Sequence, residues 1–440
     1  MQEFFHQIAA HIDTLLHTGE QSTCWFSAES SDFVRFNRSA IRQPGHVIQR
    51  LLKLTLIQGA RHANTSLTLS GQPEQDSELL ADAIAQLRLQ LPGLPEDPHL
   101  LIAAGVQNTS DILPSNTIPT EQMVDQILQA SQGRDMVGIL ICGSLYRGFA
   151  NSLGQRNWYE TANFNFDWSL FHSADKAVKS NYAGFAWDAA AFARKFDEAA
   201  ERLSLLATPP VTVPPGNYRV YLTPTALNEL IGMLNWGGLA EKSLRTHQSP
   251  LRRMRNGDVS LAASVNLSED SSTGLAPGFQ GKGFIKPQVE ALIQNGKLVG
   301  SMVSPRTAKE YGIAGNGADD DESANSIVMQ PGSLAMEDAL AELGTGIFIS
   351  NLWYLNFSDR ANCRITGMTR FASFWVEGGK IKAPLNVMRF DDSLFRILGD
   401  NLLALTQESE VIMDDRSYGE RRTGGAILPG ALVKEMRFVL

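Results

Sequence analysis

The chain has 440 residues, which is enough for two or three domains that each have a hydrophobic core. Hydrophobic residues make up 43% of the chain and charged residues 19%, as is usual for a soluble globular protein. A formal net charge of −9 provides no basic surface for a phosphate backbone, so the composition argues against nucleic acid as a partner.

The three cysteines, Cys24, Cys142 and Cys363, lie far apart in the sequence and form no CxxC pair. This spacing argues against a disulfide framework and against a structural zinc knuckle, and it predicts reduced thiols in a cytoplasmic protein. The N-terminal segment lacks the basic start and apolar run of a signal peptide, and no segment approaches the roughly 20 apolar residues of a membrane span. We therefore expect no membrane partner.

The first half of the chain mixes strand and helix patterns. Residues 1–16 form an amphipathic helix pattern, and alternating residues predict strands over 23–43, 47–59 and 63–71. Apolar residues at helical spacing predict helices over 77–91, 120–131 and 187–207, with Thr120 as a helix cap. Buried and alternating patterns predict further strands over 137–143 and 157–172.

A proline-rich segment, TPPVTVPPG at 208–216, is the clearest boundary in the chain. Four prolines in nine residues cannot continue a helix or lie in a central strand. We therefore predict an N-terminal domain over residues 1–207, a linker over 208–216 and a C-terminal domain over 217–440.

The second half opens with a strand at 217–224 and a predicted long helix over 224–251, which Gly237 and Gly238 weaken. Hairpins are predicted around Asn295–Gly296 and Gly378–Gly379. Helices are predicted over 333–344, capped by Ser333 and ended by Gly344, and over 391–405, with strands at 344–352, 411–415 and 424–440. The fold class is therefore α+β with two domains: an N-terminal sheet-plus-helices domain and a β-rich, barrel-like C-terminal domain.

Several phrases together resemble the TldD/PmbA (TldD/TldE) family. They are GTG at 344–346, ITG at 365–367, FWVEGGKI at 374–381, the glycine-rich loop at 271–283 and the hairpin at 291–304. The resemblance implies a heteromeric protease of two related subunits that acts on small or unfolded peptides. One subunit type holds zinc through HExxxH on the long helix and a distal cysteine, and the other type lacks these ligands and completes the enclosed chamber.

The catalytic pattern of that family is missing from this sequence. The long helix has no HExxxH, and its ligand positions are taken by Asn228, Gly232 or similar neutral residues. The segment SYGERRTGGAILPGALV, at the place of the third ligand, contains no cysteine. The resemblance is therefore to the non-catalytic PmbA/TldE-like branch. It implies no zinc or other cofactor on this chain, no catalytic residue, and a TldD-like zinc-bearing subunit or a second copy as partner.

Two other functions stay open. A self-contained hydrolase would use a diverged site with Cys363, whose neighbours Arg360 and Arg364 would favour a thiolate, or with His247. A non-proteolytic homodimeric binding protein would need neither residue. His172 with Asp175 is a weak ligand pair, the acidic run at 319–322 is typical of a solvated loop, and the glycines at 281–283 and 344–346 lack phosphate-loop spacing.

Aromatic and basic residues of the second half are candidates for contact with a partner subunit or a peptide, since both types are enriched at interfaces. These candidates are Trp236, Arg252, Arg253, Phe374 and Trp375.

Overall fold

The computed structural model of the chain describes residues 1–173 and 176–440. Its helices are α1 (Gln2–Leu15), α2 (Pro73–Gln90), α3 (Thr120–Ser131), α4 (Ala189–Leu206), α5 (Pro224–Asn235), α6 (Glu241–Arg245), α7 (Arg252–Arg255), α8 (Pro305–Tyr311) and α9 (Ala339–Leu343). The strands of the first half are β1 (Glu20–Asn37), β2 (Ala40–Gln58), β3 (Arg61–Thr68), β4 (Thr109–Ile112), β5 (Asp135–Asn151), β6 (Arg156–Ser173) and β7 (Lys176–Gly184). Those of the second half are β8 (Gly216–Leu222), β9 (Leu267–Asp270), β10 (Val289–Gln294), β11 (Lys297–Leu298), β12 (Ser326–Met329), β13 (Gly346–Asp359), β14 (Arg364–Glu377), β15 (Lys380–Pro384), β16 (Arg389–Ser393), β17 (Leu402–Met413) and β18 (Gly425–Phe438).

The N-terminal half folds as one sheet with the order β3-β2-β1-β5-β6, and both β4 and β7 pair with β6. Alternation along β1 separates its two faces. Cys24 and Phe26 point to the core beneath α1 and α2, while Val34 and Phe36 join the core beneath α3 and α4. The opposite face of β1 is polar, and it is this face that meets the C-terminal half.

The C-terminal half contains an eleven-stranded sheet in which β8, β13, β14, β16 and β18 pair in a closed ring. The ring confirms the predicted barrel-like, β-rich architecture. Helix α5 packs against β13 and β18, with Leu227, Leu230, Ile231 and Leu234 in the core, as their spacing predicts. The α+β fold class is therefore confirmed.

The predicted long helix over 224–251 is wrong in its length. Thr223 caps α5 by accepting a hydrogen bond from the Ala226 N–H at 3.2 Å, and the helix ends at Asn235. Gly237 then takes a φ of +72°, which a helix interior does not allow. The two glycines thus separate α5 from α6, so that only the first 12 residues form the expected helix.

Three local predictions also fail. Residues 391–405 form β16, one π-helical turn and β17 instead of a helix, because pairing with β18 overrides their helical spacing. Ser333 caps no helix, since α9 begins only at Ala339. Thr120 is the first residue of α3, and its hydroxyl donates to Asp32 Oδ2 at 2.5 Å instead of capping.

Both hairpins and the terminating glycine form as predicted. Asn295 and Gly296 have φ values of +47° and +73°, and Gly378 and Gly379 have +56° and +73°, as tight turns between antiparallel strands require. Gly344 follows α9 with a φ of +64°.

The proline-rich linker lies on the edge of the C-terminal sheet. The Val211 N–H donates to the Pro384 carbonyl at 2.8 Å, and the Asn386 N–H donates back to the Val211 carbonyl at 3.1 Å. The linker therefore adds one bridge to this edge before β8 begins at Gly216.

A charge pair joins α2 to the start of β1, and it generates a stability prediction. Arg88 donates to both carboxylate oxygens of Glu20, at 2.6 and 2.8 Å, and the His17 N–H donates at 2.8 Å. The Arg88 hydrogen bond lowers the pKa of Glu20 to about 2. A depressed carboxyl pKa gives stability that is complete above the unfolded pKa near 4.5 and is lost as the pH falls towards 2.

Glu20→Gln should therefore reduce the free energy of unfolding by about 1 to 3 kcal/mol at pH 7, and by less than half of that at pH 3. Urea denaturation at the two pH values measures both differences. Glu198→Gln, which breaks an exposed pair with Arg202, is the control and should cost less than about 0.5 kcal/mol. An equal loss for Glu20→Gln at both pH values would contradict the assignment.

Candidate functional site

The outward face of α5 is the first part of the candidate site. Its inward face is apolar and buried, which leaves Asn228 half-buried and Glu229 and Gly232 exposed on the other side. The orientation of this face is therefore determined by the packing of the apolar side of α5 against β13 and β18, and not by contacts of the outward residues themselves.

Charges of the N-terminal sheet act on this face. Partial desolvation by neighbouring protein raises the pKa of the Glu229 carboxyl. Lys179 of β7 opposes this rise, and Asp415 adds to it. Lys179 in turn lies 3.0 Å from Asp167 of β6. Burial raises the pKa of Asp167, and Lys179 opposes that rise. The charge of Lys179 therefore acts on Glu229 across the boundary between the two halves.

The second part of the site is the loop 414–424, which connects β17 to β18 and crosses onto the polar face of the N-terminal sheet. Arg421 is only 7% exposed there. Its guanidinium donates to Ser31 Oγ at 3.2 Å and to Asn163 Oδ1, and its backbone N–H donates to Glu29 Oε1 at 3.1 Å. These contacts fix the loop on strands β1 and β6.

A second buried arginine supports the loop from the sheet. Arg147 of β5 donates to the Arg421 carbonyl at 2.8 Å, and Ser27 donates to the Glu420 carboxylate. Burial lowers the pKa of Arg421 to about 10, with Glu29 opposing the change, so the guanidinium keeps its charge at neutral pH. Two carboxylates, those of Glu29 and Glu420, and two guanidinium groups, those of Arg147 and Arg421, therefore meet where the two halves join.

The predicted partner contacts lie in different places. Trp236 is 60% exposed and stacks on Phe357, with the Arg360 guanidinium 4.7 Å from the Phe357 ring centre. Arg253 donates to Asn362 Oδ1 at 2.9 Å on the same hairpin tip. The structure therefore brings Trp236 and Arg253 to one surface, at the turn between β13 and β14.

The other three predicted contacts do not join this surface cluster. Arg252 is exposed on α7. Trp375 is half-buried and packs edge-on against Tyr218 at 6.0 Å. Phe374 is fully buried in the core between the two halves, so its role is packing, and a partner cannot reach it.

Comparison with known proteins decides the family. The sequence model of the PmbA/TldA metallopeptidase C-terminal domain matches residues 215–439, more than half of the 440 residues. The chain belongs to the TldD/PmbA family of metallopeptidases. No curated protein resembles the sequence closely enough to count as a match.

Solved structures share the fold of this TldD/PmbA protein over its whole length. A candidate modulator of a DNA gyrase from Thermotoga maritima is 14% identical with a TM-score of 0.77, and each chain is covered to 99%. TldE from Thermococcus kodakarensis is 15% identical with a TM-score of 0.75, covering 99% of this chain and 100% of its own. A candidate modulator of DNA gyrase from Bacteroides thetaiotaomicron is 13% identical with a TM-score of 0.75, covering 99% and 98%. At these identities the likeness shows the fold.

The zinc that the family implies does not fit the donor groups of this TldD/PmbA chain. The outward face of α5 offers the Asn228 amide and the Glu229 carboxylate but no imidazole. The loop 414–424 offers Asp414, which Arg416 pairs at 2.9 Å, and Asp415, but no thiolate. Zinc in proteins takes three or four nitrogen, sulfur or carboxylate ligands. Within residues 1–173 and 176–440, no three His, Cys, Asp or Glu side chains converge as metal ligands would.

The proposed nucleophile Cys363 lies in the hydrophobic core. The residue is 0% exposed, and burial raises the pKa of its thiol to about 12, while Arg360 opposes this only weakly. Arg360 instead donates to the carbonyls of Gln248 and Trp236, and Arg364 pairs with Asp391. The expectation that the flanking arginines produce a thiolate is therefore wrong.

The remaining sequence motifs have structural roles. The acidic run 319–322 is only partly solvated: Asp320 and Asp321 are exposed, whereas Glu322 is 2% exposed and accepts from the Lys242 and Ser304 N–H groups at 2.8 and 2.9 Å. Gly283 packs on Phe149 of the N-terminal sheet, where an added Cβ would lie 2.4 Å from the ring. Asp175, the predicted companion of His172, lies outside the described residues.

Sequence reasoning missed the buried cluster around Arg421. The signal was present in two places: Ser27, Glu29 and Ser31 recur at every second position of a predicted strand, and two arginines follow each other at 421–422. Neither pattern alone indicates that the two segments meet.

No helix in the described parts of the chain is long and apolar enough to span a bilayer.

The buried thiols lead to a prediction about reactivity. Cys24, Cys142 and Cys363 are all buried, and burial raises the pKa of each. In a Cys24→Ala/Cys142→Ala variant, Cys363 should therefore react with Ellman's reagent at pH 8 about a thousandfold more slowly than a free thiol. The same variant in urea is the control and should react at the free-thiol rate. Rapid labelling in the native state would restore Cys363 as a candidate nucleophile.

Proposed function

We propose that this chain is the non-catalytic subunit of a TldD/TldE-type zinc metalloprotease complex that degrades or trims small or unfolded peptides. The observation that carries the proposal is the outward face of α5, which is held in place by a complete core but presents an amide, a carboxylate and a glycine where a zinc site needs imidazoles. The loop 414–424 supports it, since it holds arginines and carboxylates but no thiol. On this proposal a partner chain holds the zinc.

The surroundings of α5 support a role in shaping a chamber. Thr223 and Pro224 start the helix, and three buried charged residues, Glu29, Arg147 and Arg421, fix the end of the loop 414–424 on the N-terminal sheet. Such buried groups are costly to keep unless they are paired. A complete framework around a helix that carries no imidazole favours a subunit whose shape matters more than its chemistry.

An extended peptide could bind by pairing with a free sheet edge. Among the described strands, β3 and β7 each pair with one neighbour only. Main-chain hydrogen bonds read no side chain, which suits unfolded substrates of varied sequence. We propose that such an edge helps to present the peptide to the zinc of the partner.

The burial of Cys363 disfavours the self-contained hydrolase. His247, the other candidate residue of that hydrolase, lies in a turn after α6 with a φ of +59°. The non-proteolytic homodimer differs from our proposal in its partner, which is a second copy of this chain instead of a TldD-type subunit. Light scattering of the isolated chain, and of the chain mixed with a TldD-type protein, separates these two assemblies.

The proposal is tested with the chain alone and with a TldD-type partner that carries HExxxH. Alone, the chain should not cleave an unfolded casein-derived peptide, whereas the co-purified complex should cleave it and lose this activity with a chelator. A complex whose partner carries His→Ala in HExxxH is the control and should be inactive. Chelator-sensitive cleavage by the isolated chain would overturn the assignment.

The surface around Trp236 and Arg253 is proposed as part of the subunit contact. A Trp236→Ala/Arg253→Ala variant should weaken co-purification with the partner at least about tenfold, because exposed Trp and Arg dominate many interfaces. Leu89→Ala, which removes an equally exposed apolar side chain on α2, is the control. Unchanged association of the double variant, with unchanged folding by circular dichroism, would place the contact elsewhere.

A further inference from the structure

A groove between the two halves of the chain is lined by side chains that the proposed function does not use. It is bounded by α4 and β7 on one side and by β8, β13 and β17 on the other, and its volume is about 550 Å³. This volume lies within the range of small-molecule and peptide sites. The start of α5 also borders it, so the groove leads to the outward face described above.

The cations in this groove are already neutralised. Each of the three lies within 3.0 Å of a carboxylate: Lys179 of Asp167 at 3.0 Å, Lys195 of Glu410 at 2.7 Å, and Arg202 of Glu198 at 3.0 Å. These pairs leave the groove no positive charge for an anionic ligand.

Three further carboxylates border the groove without a counter-charge. Glu201, Glu337 and Glu408 are exposed, and none of them pairs with a cation in the part of the chain that the structure describes. Glu408 accepts one hydrogen bond, from the Met336 N–H at 2.8 Å. The groove therefore carries an excess of negative charge, which favours a cationic ligand.

A buried hydroxyl faces the same space. Tyr221 of β8 is 3% exposed, borders the groove, and makes no side-chain hydrogen bond to any described residue. Burial and then the charge of Glu410 raise the pKa of Tyr221, so the hydroxyl keeps its proton. The hydroxyl can therefore donate a hydrogen bond to a ligand that enters the groove, or accept one from it.

The groove floor is aromatic and already holds one guanidinium. Tyr221 and Phe348 lie side by side on paired strands, with ring centres 5.8 Å apart. The Arg202 guanidinium carbon lies 5.1 Å from the Phe348 ring centre while its nitrogen contacts Glu198. An aromatic face beneath and a carboxylate beside the cation form the geometry in which arginine binds well.

We propose that this groove binds the arginine or lysine side chains of a peptide, with the cation between the aromatic floor and the free carboxylates. The biological use of this binding, a preference of the protease for basic peptides, rests on the proposed function. The binding itself needs only this chain. A failure to bind basic peptides would therefore leave the cleavage experiment unaffected. A failure of the cleavage experiment would likewise leave the binding test unaffected.

The test is fluorescence anisotropy of the isolated full chain with labelled GRGRG, and with the same peptide carrying citrulline, the neutral analogue of arginine. The arginine peptide should bind at least about threefold more tightly, and this difference should shrink between 50 and about 500 mM salt because free ions screen exposed charges. Equal binding of the two peptides would overturn the proposal.

Two variants locate the site. Glu201→Gln/Glu337→Gln/Glu408→Gln should weaken binding of GRGRG at least about threefold, since each lost exposed ion pair contributes modestly. Glu3→Gln/Glu74→Gln/Glu78→Gln, on α1 and α2, removes the same charge from exposed positions outside the groove and should leave binding unchanged. Equal losses in the two triple variants would show a general charge effect and overturn the proposal.

Tyr221→Phe tests the floor of the groove while keeping its shape. Loss of the hydroxyl should weaken GRGRG binding by a factor of about two to ten, the value of one hydrogen bond. An unchanged affinity would remove Tyr221 from the site, and with it the second observation on which the proposal depends.

Discussion

A buried guanidinium on a polar sheet face links the two halves of this protein. Arg421 belongs to the C-terminal half but is surrounded by β1 and β6 of the N-terminal sheet, where Ser31 and Asn163 accept its hydrogen bonds. Desolvating such an ion costs several kcal/mol unless its neighbours replace water, and here hydrogen bonds and the nearby charges of Glu29 and Glu420 do so. These contacts fix the end of the loop 414–424 that contains Arg421 on the N-terminal sheet.

The orientation of the other parts follows from this contact. With this end of the loop fixed, β17 and β18 pack against α5, and the charge of Lys179 in the N-terminal sheet acts on Glu229. The groove lined by Tyr221 and Phe348 is the space that remains between the same elements. Interior packing thus sets the position of the outward face of α5, which carries no imidazole.

Much of the fold follows from local patterns, and what does not follow depends on contacts between distant segments. The stripe of Leu227, Leu230 and Ile231 identifies α5, and Asn295–Gly296 identifies a hairpin, because both signals lie within a few residues. The strand β17 is hidden, because residues 391–405 have helical spacing and only pairing with β18 makes them extended. The sequence indicates that Gly237 weakens the helix, but it does not indicate that the helix ends there.

The candidate site divides in the same way. Missing histidines and a missing cysteine can be read directly from the sequence, and so can the family phrases between 344 and 381. The cluster of Glu29, Arg147 and Arg421 joins residues almost 400 positions apart, for which a single sequence has no local signal. The burial of Phe374 and Cys363 is also a tertiary property, since the same residue types occur at surfaces and in cores.

We propose that this chain contributes structure and no metal to a two-subunit enzyme. The zinc content of the purified complex with a TldD-type partner, determined by mass spectrometry together with the protein concentration, tests this most directly. We expect about one zinc ion for each pair of chains, all of it lost when the partner's HExxxH histidines are replaced. About two zinc ions per pair, with one retained after that replacement, would show that this chain binds zinc and would overturn the proposal.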